Sequence, residues 1–166
     1  MIENNIYVLD ANVFIEASRR YYAFDIAPAF WEALVKNAEK GYIITIDHVK
    51  QELEKGNDTL SHWMKNTFHH WCKSTSENDV ISIYENVIKW VQAQNQFSDK
   101  AKYDFAGGAD GWLIAYAKAK GCVVVTHEEF KSDIKRKVPI PNVCRAFNVP
   151  YINTFEMLRS LGIKFI

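Results

Sequence analysis

The residues able to do chemistry in this sequence are carboxylates that follow apolar runs. Asp10 closes the run IYVLD, with Asn12 two positions on; Glu52 lies in the helical segment after YIITI; Glu128 stands two positions after CVVVT, with Glu129 next to it; and Asp110 opens the helical stretch that leads into CVVVT. Ligands of a parallel α/β sheet bind in the crevice beyond the carboxyl ends of its strands, which is where these acids are expected. Carboxylates brought together repel one another and raise each other's pKa, so a cluster calls for a neutralising cation. Oxygen donors alone select Mg²⁺ or Mn²⁺ over zinc, and Mg²⁺ needs few carboxylates beside substrate phosphate. Each acid also has a plain structural role. Asp10 would cap a helix, Asp110 would favour a helix dipole, and Glu52, Glu128 and Glu129 would be solvated surface acids. Their joint placement favours the metal.

The elements that must position them read as follows. Residues 6–10, 42–46 and 122–126 are short, β-branched and apolar, as strands buried on both faces are. Helical spacing runs from Val13, from Pro28 to Gly41, through HVKQELEKG with Asp47 as cap, over 58–73 and 77–95, and from Ala109 to Lys120. A loose stretch is expected before FAGGAD. The tail reads as a Pro-bracketed turn, KVPIPN, a short helix at 143–147, a strand at Tyr151 and Ile152, and a last helix near 155–161. Strands alternating with helices predict an α/β fold, a mostly parallel sheet flanked by helices, in a single domain over 1–166.

The chain has 166 residues, 48% of them hydrophobic, enough for a sizeable core. No apolar run is long enough to span a bilayer, and the opening residues lack a secretory signal, so a cytoplasmic protein without membrane contact is expected. Three cysteines without CxxC spacing agree with reduced thiols. The 20 acidic and 20 basic residues cancel, so no basic excess advertises a nucleic-acid partner. His69, His70 and Cys72 are too close along a helix to share a zinc ion. Gly107-Gly108 lacks the spacing and Lys of a phosphate-binding loop.

In order and spacing, YVLDANVFIEA, VKQELEKG and ADGWLIAYAKAKGCVVVTHE resemble the PIN domain nucleases, and YYAFDIAPAFWEAL and KVPIPNVCRAF resemble a PIN-like bacterial branch, the DUF4411 group, similar to toxins of toxin–antitoxin pairs. The resemblance covers essentially the whole chain and implies a three-layer α/β/α fold. It implies that Asp10, Glu52, Asp110 and Glu128 are catalytic and bind Mg²⁺ or Mn²⁺, with Asn12 orienting Asp10 and Thr126 supporting the site. Many members carry Asp where Glu128 stands, which leaves Glu129 as a substitute. The implied activity is endonucleolytic hydrolysis of phosphodiester bonds, most of all in RNA. A cognate antitoxin and a homodimer are the implied protein partners.

Arg19 and Arg20, followed by Tyr21 and Tyr22, would meet phosphates and bases, as would His127 and the basic stretch Lys131, Lys135, Arg136 and Lys137. A solvated charged face explains these residues equally well. Two rival functions remain. One is a non-catalytic RNA- or protein-binding module. The other is a metal-dependent small-molecule phosphatase, whose common form needs Asp where Asn12 stands.

Overall fold

The computed structural model describes residues 5–166. Among these residues, five strands form one sheet: β1 (Tyr7–Leu9), β2 (Ile43–Ile46), β3 (Cys72–Lys73), β4 (Val123–Val125) and β5 (Tyr151–Ile152). Their order is β3-β2-β1-β4-β5 and every neighbouring pair is parallel. Tyr7 stands opposite both Ile43 and Val123, so β1 is the central strand. β1, β2 and β4 are wholly buried, which explains their unbroken apolar runs.

Nine α-helices accompany the strands among the described residues: α1 (Ala11–Glu16), α2 (Pro28–Glu39), α3 (Asp47–Glu54), α4 (Thr59–Asn66), α5 (Asn78–Ala93), α6 (Asp99–Gly107), α7 (Asp110–Lys120), α8 (Ile140–Ala146) and α9 (Thr154–Ser160). Parallel crossovers are right-handed. The steps β1→β2→β3 therefore put α1 to α4 on one face, and the reversed steps to β4 and β5 put α5 to α8 on the other. The packing agrees, with α3 against α1 and α4, and α7 against α5, α6 and α8. The result is the three-layer α/β/α architecture expected from the sequence. No helix among the described residues is long and apolar enough to cross a membrane.

Local chemistry sets the boundaries. Pro28 begins α2, and Gly41 ends it at φ +86°, with its N–H donating to Ala38 O. Gly121 takes the left-handed conformation that releases the chain from α7 into β4. Beyond α1 the helix widens into a π turn, Ala17–Tyr21, closed by Tyr22 N–H to Ala17 O at 2.8 Å.

Three expectations fail in detail. The helix expected over 58–73 stops at Asn66; a 3-10 turn, Phe68–Trp71, then feeds β3. That strand holds two residues on the sheet edge, too few to show an alternation. The loose stretch before FAGGAD contains α6, which Ser98 caps through Ala101 N–H and which buries only Ala101 and Phe105. The helix expected at 143–147 begins earlier, at Ile140, because Pro141 suits a first turn.

Asp47 is the first residue of α3 and does more than cap it. Its carboxylate accepts from His48 N–H at 2.8 Å and, across the chain, from Thr75 N–H at 3.0 Å and the Thr75 hydroxyl. Thr75 is buried, so this bond ties the segment after β3 to the helix that carries Glu52. Asp47→Ala would leave two buried donors of Thr75 without a partner. It should cost about 2 kcal/mol in urea denaturation, and Asp47→Asn less.

Candidate active site

The sheet order reverses direction at β1, since β2 lies on one side and β4 on the other. The crevice beyond the carboxyl ends of β1 and β4 is therefore the topological switch point, the ligand-binding place of such sheets. Asp10 leaves β1 there, with its N–H donating to Val125 O at 3.0 Å. Its side chain is only 3% exposed. Thr126, buried at the end of β4, donates its hydroxyl to Asp10 Oδ2 at 3.1 Å and accepts Glu128 N–H at 3.1 Å. One hydroxyl thus fixes two of the acids.

Glu128 is held further by Ile140 N–H, which donates to its Oε1 at 3.0 Å, and by Lys137, whose Nζ lies 3.3 Å from Oε2. Asp110 stands in the first turn of α7, and that helix runs back toward β4, as the sequence implied. Burial is the main reason that the Asp10 carboxyl is raised well above its ordinary pKa; Asp110 and Glu128 add repulsion, and Glu52 adds the least. Asp110 is pushed up to about 7, first by burial and then by Glu128, while Lys137 pulls the other way.

The four expected acids thus act on one another electrostatically, and they differ in setting. Asp10, Asp110 and Glu128 form the inner group, while Glu52 is exposed on α3 at the rim. Glu129 is exposed and does not figure among the charges acting on Asp10 or Asp110. Asn12 is exposed on the first turn of α1, and no hydrogen bond joins its side chain to Asp10. Among the described residues, no three His, Cys, Asp or Glu side chains stand close enough to enclose an ion by themselves.

The proposed substrate contacts are scattered. Arg20 pairs with Glu16 at 3.3 Å, and Arg19 acts on Asp58 at the start of α4. Tyr22 stacks on Phe30 in the core, whereas Tyr21 is half exposed near His127 and Phe155. His127 shares a hydrogen bond between its Nε2 and Thr154 Oγ1 at 2.9 Å, and burial lowers its pKa while Glu16 opposes the shift. Lys131 is exposed; its backbone is clamped on both sides by the Asn142 amide. The basic segment is also pinned by Gln96 to Ile134 O and by Ser98 N–H to Lys135 O. Lys137 is the base that this fixed path turns toward the acids. Composition alone did not separate it from its basic neighbours.

The sequence matches a family model, Domain of unknown function (DUF4411), over residues 7–165. The chain belongs to the DUF4411 family. Solved structures similar to this DUF4411 protein include FitAB bound to an IR36 DNA fragment, at 17% identity and TM-score 0.54, covering 89% of this chain and 94% of that one. FitAcB from Neisseria gonorrhoeae matches at 16% identity and TM-score 0.54, covering 90% and 99%. VapBC2 from Rickettsia felis, bound to a DNA fragment from their promoter, matches at 14% and 0.55, covering 89% and 98%. At these identities the likeness is one of fold. No curated protein sequence matches the chain.

The raised carboxyls have a consequence for stability. Between about pH 4 and about 7 the folded DUF4411 protein keeps protons that the unfolded chain has released, so stability falls as pH rises through this window. Denaturation in EDTA should show lower stability at about pH 8 than at about pH 5, by a few kcal/mol at most. Asp110→Asn should flatten that slope and stabilise the metal-free protein at the higher pH.

Proposed function

We propose that this DUF4411 protein is an endonuclease that hydrolyses RNA phosphodiester bonds with Mg²⁺ or Mn²⁺. The observation that carries the reading is the buried Asp10 carboxyl, set at the switch point against Asp110 and Glu128, with Thr126 as its side-chain hydrogen-bond donor. A protein retains so costly a group where a cation or a charged substrate offsets it. The donors are all oxygen, as hard divalent cations require. An ion that binds through one or two carboxylates and keeps its waters does not need three acids in direct contact.

Asp10 and Asp110 would hold the ion directly. Glu128, whose oxygens are engaged by Ile140 N–H and Lys137, would act through water, and Glu52 would extend the site at the rim. The ion would supply Lewis acidity at the phosphodiester. Thr126 keeps Asp10 oriented, and Lys137 offers its ammonium to a phosphate oxygen beside Glu128. The resemblance to toxins of toxin–antitoxin pairs, and the fold shared with FitAB and VapBC2, support a small protein partner that covers this acidic crevice, and a homodimer as the assembly.

A second reading has one observation in its favour. The prior engagement of Glu128 suits a module that binds RNA without cutting it. Purified protein should cut a pool of structured RNAs with Mg²⁺ or Mn²⁺ and not with EDTA. Asp10→Asn and Asp110→Asn should each lower the rate by about a hundredfold or more. Tight RNA binding without turnover would establish the binding module instead. Cutting that survives both Asn variants would refute the site.

A further inference from the structure

A cavity of about 520 Å³ opens beside Glu128 and Thr126, a size within the usual range of small-ligand sites. Phe130, Arg145, Tyr151 and Glu156 line it together with Glu128 and Glu129. The Arg145 guanidinium lies 3.8 Å from the centre of the Phe130 ring, and its Nε donates to the Tyr151 hydroxyl at 3.1 Å. Both contacts fix the guanidinium while using one of its five N–H donors. Phe130 is 38% exposed although large and apolar, and it belongs to the same segment as Glu128.

The charges define the occupant. Three carboxylates and one guanidinium border the cavity, so a free anion gains little there. A planar group that offers acceptors on one edge and donors on another satisfies both signs. Guanine does so: its O6 and N7 accept from a guanidinium, and its N1–H and amino group donate to carboxylates. We propose that this cavity is a nucleobase subsite selective for guanine, placed to seat a nucleoside beside the phosphodiester held at the acids. The proposal rests on the nuclease reading for its substrate, while base binding itself does not.

The test uses hydrolysis-silenced Asp110→Asn protein, with amide NMR spectra followed during titration with each of the four nucleoside 5′-monophosphates and with inorganic phosphate. Guanosine monophosphate should shift the amides of 127–130 and 151–156, and bind at least about tenfold more tightly than the pyrimidine nucleotides. Arg145→Ala and Glu156→Gln, both at exposed positions, should each weaken it about tenfold. No shift at these amides, equal binding of inorganic phosphate, or indifference to both substitutions would overturn the subsite. RNA cleavage by the wild type is the separate arm. If cutting occurs without preference for bonds beside guanosine, the subsite fails and the nuclease stands. If no RNA is cut while guanosine monophosphate still binds as described, the nuclease fails and the base site stands.

Discussion

The buried carboxyl of Asp10 is the constraint on which the rest of the crevice depends. A carboxylate removed from water costs several kcal/mol unless something compensates it, and here its nearest charged neighbours carry the same sign. The compensation inside the chain is thin. The Thr126 hydroxyl donates one hydrogen bond, and Lys137 reaches the group only through Glu128. The backbone leaves no freedom to avoid the conflict. Asp10 is tied to Val125 by a ladder bond at the end of the central strand, so the side chain must leave the sheet at the switch point.

Much of the fold serves to keep that arrangement from relaxing. Gly121 turns α7 back into β4, which fixes Asp110 above the crevice. The column of Tyr84 and Trp112, with ring centroids 3.6 Å apart, and His48 on the other face of Trp112 at 4.9 Å, binds α7 to α5 and to α3. Glu52 is one helical turn beyond His48, so the same column that places Asp110 also sets the distance of the rim acid. Gly111 allows this packing, since a Cβ there would meet Tyr84 at 3.0 Å and Phe105 at 3.1 Å. The segment after Glu128 is held with comparable care. Asn142, Gln96 and Ser98 clamp its backbone, and Lys137 arrives beside Glu128 as a result. An acid cluster that could splay apart would lose its repulsion cheaply; this one cannot.

The sequence revealed the parts governed by local pattern. Three buried strands are legible as β-branched runs, and Asp10, Asp110 and Glu128 stand out as candidates because each lies next to such a run or to the helix feeding it. What it did not reveal depends on contacts between distant residues. β3 exists because β2 presents an open edge to Cys72 and Lys73, and two residues cannot carry a periodicity of their own. α6 has too small an apolar face to stand out from a polar loop. The choice among Lys131, Lys135, Arg136 and Lys137 was undecidable by type, since only the clamped path of the segment separates the base beside Glu128 from those in solvent. Arg145 was invisible for the same reason. Its partner Tyr151 belongs to an edge strand, and its stacking ring, Phe130, to a loop.

The surroundings of Glu128 therefore have two electrostatic characters, and this follows from how few positive groups the crevice contains. Toward Asp10 and Asp110 the environment is anionic and largely closed, the setting in which the proposed divalent cation would offset the repulsion. Toward Arg145 it is wider and of mixed sign, with an exposed aromatic ring at its edge. A polyanion approaching the acids gains only when its own phosphate is neutralised there, because the chain as a whole carries no basic excess to draw it in. On the nuclease reading proposed above, recognition would come from directional contacts close to the acids and not from long-range attraction. On the proposed reading, a rigid guanidinium and a stacking ring near the acids would serve better than a broad basic surface, so a balanced net charge is compatible with a nucleic-acid substrate.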